Sequence, residues 1–298
     1  MNKDINNIMP KISAAIVTLN DEENLPYLLE SVYSWTNEII IVDRGSNDKT
    51  LEIARQYNAK IYINSSMELF SMAKKEAIKR SLNEYVLLLD TDEIVTKSLA
   101  LNLLYITEKN LAEAVFIPRA TYLLGEMLDC NFLMPDEDTH LRFFKKDAVD
   151  IIITTGDLLY INPLNEKKVF YLRYQNDSGL IHFTFPDPSE YIKKFNEYYN
   201  METNEQYMKN CFKALNLDEF IKKNLYFGIK NIKINEKEFL SIRLILSKIL
   251  YFLNAEKSDI NICKEINLKK YHSIASKFID EYKSNMLYDY NLFKFNMI

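Results

Sequence analysis

Asp90-Thr91-Asp92-Glu93 ends the deeply apolar run Tyr85–Leu89 with four consecutive polar residues. Two carboxylates at i and i+2 on a loop can aim at one hard cation, which prefers oxygen ligands. Two further runs end the same way. Ile12–Thr18 passes into Leu19-Asn20-Asp21-Glu22-Glu23, and Glu38–Asp43 passes into Arg44-Gly45-Ser46. A carboxylate at the tip of a strand can accept a hydrogen bond from a base or a ribose hydroxyl. Asp48 is of another kind: in Ser46-Asn47-Asp48 it reads as a helix N-cap. The chain has no GxGxxG after its first strand, and no GxxxxGK[ST], HExxH or GxSxG. That excludes the glycine-rich phosphate loops, the zincin motif and the serine-hydrolase elbow. A phosphate bound here needs another partner, and a divalent cation held by the acidic pair would neutralise it.

The elements that must place these residues follow from periodicity. Ile12–Thr18, Glu38–Asp43, Lys60–Ile63 and Tyr85–Asp90 read as strands, the apolar ones as parallel strands covered on both faces. Between them, Asp21–Ser34, the stretch from Ser46 to Tyr57 and Met67–Leu82 carry helical spacing. Four strands alternating with three helices in about 80 residues predict a parallel sheet with crossover helices. Ligands in such sheets bind beyond the carboxyl ends of the strands. Ala114–Leu124 and Leu141–Phe144 read as strands of a mixed region. From Pro188 the pattern turns helical, over Tyr191–Met208, Leu217–Ile229, Lys237–Leu253 and Lys269–Met286. The expected organisation is therefore an α/β domain over residues 1–185 and a helical C-terminal region over residues 186–298.

Composition narrows the class. Only 5 of 298 residues are glycine, which argues against a turn-rich all-β fold, while 37 Tyr and Phe supply a large core. A formal net charge of −5 gives no basic excess for a nucleic-acid duplex. Cys130, Cys211 and Cys263 are odd in number and lack a CxxC, so a disulfide framework or thiolate zinc site is not expected. Met1–Pro10 lacks the apolar core of a signal peptide. The longest apolar stretch, Leu244–Leu253, is interrupted by Lys248 and is too short to span a bilayer. The expectation is a cytoplasmic protein. Residues 186–298 are mildly basic, with 18 Lys and Arg against 15 Asp and Glu, and hold Tyr198-Tyr199 and Tyr226-Phe227. They admit a peripheral contact with the inner face of a membrane, although a packed core is the commoner fate of such residues.

Ile16–Asn24, Glu38–Thr50 (EIIIVDRGSNDKT) and Val86–Glu93 (VLLLDTDE) together resemble the inverting family 2 glycosyltransferases of GT-A fold, a Rossmann-like sheet with flanking helices. The branch they resemble holds lipopolysaccharide-core glucosyltransferases and peptide S-glycosyltransferases. The resemblance continues through Phe70-Ser71-Met72-Ala73, Arg142–Lys145 and Ile181-His182-Phe183, and covers about residues 10–200. It implies a nucleotide-sugar donor, a UDP-sugar, held by Thr18, Asn20, Glu22, Asp43, Lys74, Asp90 and Arg142. It also implies Mn²⁺ or Mg²⁺ at the diphosphate, with Asp92 and His182 as metal residues. The acceptor would be a glycan, a lipid-linked molecule or a peptide, and the C-terminal region would shape its site or mediate association, including a homo-oligomer.

Two departures bear on catalysis. The branch carries a Gly-x-Val-His-Glu segment whose Glu is a candidate base, where this chain has Gly156-Asp157-Leu158-Leu159-Tyr160. Arg-Asn after Phe-Ser-x-Ala is replaced by Lys74-Lys75, and a lysine keeps charge without bidentate geometry. Asp157, Asp136 and Asp138 are the substitute bases. The alternative is a catalytically inactive relative that binds a nucleotide or a partner protein.

Overall fold

The computed structural model describes residues 10–66, 69–123, 126–127, 135–136, 138–153, 159–175, 177–183 and 271–296. Strands β1 (Ile12–Thr18), β2 (Glu38–Asp43), β3 (Lys60–Ile63) and β4 (Tyr85–Leu89) form a parallel half-sheet in the order β3-β2-β1-β4. Every residue of β1, β2 and β4 is buried, the state their unbroken apolar sequences require. Helix α1 (Leu25–Tyr33) buries Leu25, Leu28, Leu29 and Val32 against the sheet. That i, i+3, i+4, i+7 stripe is the amphipathic pattern, and Pro26 suits the first turn, where its missing N–H costs nothing. Helices α2 (Thr50–Gln56) and α3 (Phe70–Arg80) complete the crossovers.

Beyond β4 the strand direction changes. After β5 (Glu93–Val95) and α4 (Lys97–Lys109), β6 (Ala114–Leu123) runs antiparallel to β8 (Thr139–Lys145), which is itself antiparallel to β4. A two-residue strand, β7 (Glu126–Met127), pairs with the end of β6. Strands β9 (Val149–Ile153) and β10 (Leu159–Pro163) form a separate hairpin, and β11 (Val169–Tyr171) joins β6. β12 (Leu180–Phe183) then lies between β6 and β5. Thr96 caps α4 by accepting a hydrogen bond from the Leu99 N–H, and Asn110 ends it in the left-handed region. Neither β5 nor α4 was expected from the sequence.

The helix expected over Lys269–Met286 is two helices. Residues 271–280 form α5, a 3₁₀ turn at Glu281–Lys283 breaks the run, and α6 spans Met286–Asn296. Both pack on the α/β domain. Tyr282, Met286 and Tyr290 join the core that holds α1 and α4, and the Tyr282 hydroxyl donates to the Val95 carbonyl at 2.8 Å. Tyr271, Ala275 and Phe278 pack against Ile94, Ile181 and Phe183. The other three expected helices, the boundary near Pro186–Pro188, the aromatic pairs proposed for membrane contact and all three cysteines lie outside the described residues. Among the described residues no helix is long and apolar enough to cross a membrane.

Candidate functional site

Because β2 and β4 both pair with β1 in parallel, their carboxyl ends open on one edge, with Thr18 opposite Asp43 and Ile16 opposite Leu89. The residues after those ends are knitted together across three loops. The Asn20 N–H donates to Ser46 Oγ and Asn20 Oδ1 accepts from the Asn47 N–H. Glu22 Oε2 accepts from the Lys49 N–H, and the Glu22 N–H donates to Asp48. Asp48 also accepts from the Thr50 N–H at 2.9 Å, although the residue that caps α2 is Lys49, one position after the expected N-cap.

Asp43 is closed to solvent. Its carboxylate accepts from Thr18 Oγ1 at 2.8 Å, from the N–H groups of Gly45 and Ser46, and from the Ser46 hydroxyl. With φ at +102°, Gly45 makes the turn that lets two consecutive N–H groups reach one oxygen. This corrects the expected direct contact of Thr18 and Asp43 with a donor: their polar atoms are used on each other, and they set the shape of the loop. Asn20 and Glu22 remain at the surface of that loop.

The first carboxylate of the acidic turn is also committed. Asp90 lies between Lys74 Nζ and Arg142 Nη2, each 2.5 Å from one of its oxygens. Those two cations hold it ionised far below the usual carboxylate range, against the cost of its burial. Arg142 also reaches Glu93 at 3.0 Å, and Glu93 accepts from the Asp90 N–H. Lys74, Asp90 and Arg142 therefore act as one buried ionic unit that fixes the turn.

Asp92 faces the opening, its side chain 30% exposed, and its Oδ2 is 3.4 Å from His182 Nε2. His182 Nδ1 lies 3.1 Å from Thr121 Oγ1, and that hydroxyl donates onward to Asp138 Oδ2. A hydroxyl that gives its proton to Asp138 accepts from Nδ1–H, which leaves a lone pair on Nε2. A neutral imidazole thus turns a lone pair towards a carboxylate, a repulsive pairing unless a proton or a cation lies between. The donor set, one imidazole nitrogen and one carboxylate oxygen with the second ring nitrogen held, fits a divalent ion completed by substrate oxygens. Among the described residues no group of three or more such ligands exists, so the described protein atoms do not by themselves enclose an ion.

Of the three expected bases, Asp157 lies outside the described residues. Asp136 accepts from the Tyr174 N–H at 2.6 Å. Asp138 is gripped by Arg119 at 3.0 and 3.2 Å and by His140 Nε2 at 2.8 Å. His140 and Arg119 lower its proton affinity well below the ordinary range, so Asp138 is a poor base and a good anchor. A cavity of about 740 Å³ lined by Lys11, Glu84, Glu108 and Lys294 opens at the other end of β1 and β4, away from these groups.

Two residues were not picked out from the sequence. Tyr271 of α5 is buried edge-on against Phe183 and Tyr27, its hydroxyl without a hydrogen-bond partner among the described residues. Asp21 joins the loop after β1 to the acidic turn, accepting from the Leu19 N–H and from Thr91 Oγ1, both at 2.8 Å. Burial raises its pKa to about 6. The bonds from Leu19 and Thr91 oppose the shift, and the charges of Asp92 and Asp48 add to it. A carboxyl whose pKa is higher folded than unfolded takes up a proton on folding between those two values. Its stabilisation is therefore complete below about pH 4 and lost as pH rises through 6. At about 1.4 kcal/mol per pH unit, and with part of the group open to water, the loss is about 1–3 kcal/mol. With chelator present, Asp21→Asn is expected to match the parent in unfolding free energy near pH 4 and exceed it by that amount at pH 7. A difference that stays flat across the range would contradict this.

A Rossmann-like parallel half that runs into a mixed half, with an acidic turn at the join, is the GT-A architecture. Residues 13–129 match the sequence family described as Glycosyl transferase family 2. It is 35% identical over 106 residues to an uncharacterized glycosyltransferase of Rickettsia conorii, covering 36% of each chain. It is 27% identical over 182 residues to the poly(ribitol-phosphate) beta-N-acetylglucosaminyltransferase TarS of Staphylococcus aureus, covering 58% of this chain and 29% of TarS. The chain spans about a third or less of the length of these curated relatives. The crystal structure of S. aureus TarS 1–349 in complex with UDP-GlcNAc superposes with a TM-score of 0.42 at 14% identity, over 91% of this chain and 92% of that one.

Proposed function

We propose that the chain is a metal-dependent, inverting glycosyltransferase that takes a sugar from a UDP-sugar and passes it to a glycan, lipid-linked or peptide acceptor. The match of residues 13–129 to the family 2 glycosyl transferases supports the sugar transfer. The observation that carries the metal is the Asp92–His182 pair at 3.4 Å, with the imidazole's other nitrogen held by Thr121.

Asp92 and His182 would hold Mn²⁺ or Mg²⁺. When bound, the ion supplies positive charge to the leaving diphosphate. The chain's own residues do the rest. Lys74 and Arg142 lock Asp90, and so fix the backbone of the turn that presents Asp92. The loop pairing at Asn20–Ser46 and Glu22–Lys49 builds the wall on which a uracil and ribose would rest. Asp21, tied to Thr91, couples that wall to the turn, so nucleoside and diphosphate are met by one rigid edge. Because TarS is named a beta-N-acetylglucosaminyltransferase, UDP-N-acetylglucosamine is the first donor to try, with UDP-glucose beside it as the comparison.

Calorimetric titration with UDP, with Mn²⁺ and with chelator, tests this reading. Binding that strengthens at least tenfold with the ion is expected. Absence of binding, or binding indifferent to the metal, would overturn it.

A further inference from the structure

Displacement at an anomeric carbon by a hydroxyl or thiol releases a proton that must go to a base, and four of the described carboxylates near this edge are occupied. Asp90 is shared by Lys74 and Arg142, Glu93 is held by Arg142, Asp138 is held by Arg119, and Asp21 has an oxygen on each of Leu19 and Thr91. The imidazole of His140 is placed differently. His140 pairs with Ile117 across the β8–β6 ladder, two residues nearer the mouth than Arg142. Its Nε2 lies 2.8 Å from Asp138 Oδ1, and Asp138 is in turn immobilised by both nitrogens of the Arg119 fork and by Thr121. With Nε2–H donated to that carboxylate, Nδ1 carries the lone pair. The side chain is 41% exposed, so an acceptor can reach it.

The geometry points to His140 as the base that deprotonates the acceptor, with Asp138 as its positioning residue. This rests on the glycosyltransferase reading above. In the step, the acceptor's O–H or S–H bond breaks and its proton passes to Nδ1. The acceptor atom bonds to the anomeric carbon, and the bond from that carbon to the diphosphate breaks, its electron pair leaving on UDP. The imidazolium that forms faces the Asp138 carboxylate. The other charged groups around that pair are Arg119 on β6, Arg142 on β8, Glu93 on β5 and, through Thr121, His182 on β12. An Asp–His pair in which the carboxylate orients the ring and stabilises its cation is a general solution to this task.

The test uses the full chain, with release of UDP from UDP-glucose and UDP-N-acetylglucosamine, water serving as acceptor, and UDP affinity measured beside it. For His140→Gln, UDP affinity in Mn²⁺ is expected to stay within about threefold, while kcat falls roughly 10²–10⁴-fold. The acidic limb of the kcat pH profile is expected to disappear. Asp138→Asn is expected to move that limb to lower pH, because the ring loses the charge that favours its protonated form. A purely structural role for His140 would leave the limb in place in whatever activity remains. Unchanged kcat and an unchanged acidic limb in His140→Gln, with normal UDP binding, would overturn the assignment and leave the transferase reading standing. No UDP binding by the parent protein would overturn that reading first. A parent that binds UDP in Mn²⁺ but releases none from either donor would count against the base alone.

Discussion

Arg142→Ala is expected to lower folding stability by about 3–5 kcal/mol, the usual cost of removing one partner from a buried ionic cluster. Glu93 is fully buried and Arg142 is 8% exposed. Taking away the guanidinium leaves Glu93, among the described residues, with the distant Arg119 at 3.7 Å as its cation. It also leaves Asp90 with Lys74 alone. Arg142→Lys is expected to recover only part of the loss, because an ammonium cannot present a planar fork to two carboxylates at once. Denaturant unfolding with linear extrapolation measures both. Glu93→Gln made together with Arg142→Ala is expected to cost less than the sum of the single changes, since each relieves the charge that the other strands. Additive costs, or a loss below about 1 kcal/mol for Arg142→Ala, would mean that water already screens this cluster.

The parallel half was legible because burial on both faces confines polar residues in β1, β2 and β4 to a few positions near the strand ends, Ser13, Thr18, Glu38 and Asp43, and the apolar run between them reveals the strand. β9 and β10 offer no such signal. Although VDIII and LYINP are apolar in sequence, half-exposed and exposed residues alternate along most of both, so neither is the covered strand that a long unbroken apolar run marks. β5 is three residues long, too short for any period, and is held by its pairing with β12. Helix α4 did carry its signature, Thr96 as cap and Leu99, Leu103 and Leu104 on one face. It went unread beside the stronger acidic motif.

The site divides in the same way. Strand-end chemistry pointed to one edge of the sheet, and Asp90 with Arg142 and Asp92 with His182 do come together there. What composition cannot give is how a carboxylate is used. Asp43 and Asp92 look equivalent in a sequence, yet one is spent on four donors from its own and neighbouring loops and the other faces the opening. Asp138 became an anchor through cross-strand register. β6 and β8 pair with a bulge at Val115/Phe116, and that register brings Arg119 and Thr121 opposite the start of β8. Asp21 is one of several polar residues in Asn20-Asp21-Glu22-Glu23, and only the approach of Thr91 distinguishes it.

The two aspartates of the acidic turn are expected to respond oppositely to removal. Asp92→Ala should leave the fold nearly unchanged, within about 1 kcal/mol. Its side chain is partly exposed, and the turn is held there by the backbone, with the Phe183 N–H donating to the Asp92 carbonyl at 2.9 Å. On the proposed reading the same change removes one of two protein ligands from the ion, so the Mn²⁺-dependent part of UDP affinity should fall by roughly 100-fold or more, about 2.7 kcal/mol. Removing a negative charge beside Asp21 should also lower that group's raised pKa, a shift visible by NMR titration in chelator. Asp90→Ala should do the reverse. It leaves Lys74 and Arg142 buried against each other and is expected to destabilise the fold by several kcal/mol, so its loss of metal binding would be secondary to unfolding. Thermal denaturation and Mn²⁺ titration in the presence of UDP separate the two variants. If Asp92→Ala retains the full metal enhancement while folded, the second carboxylate is no ligand, and the lone pair of His182 needs another explanation.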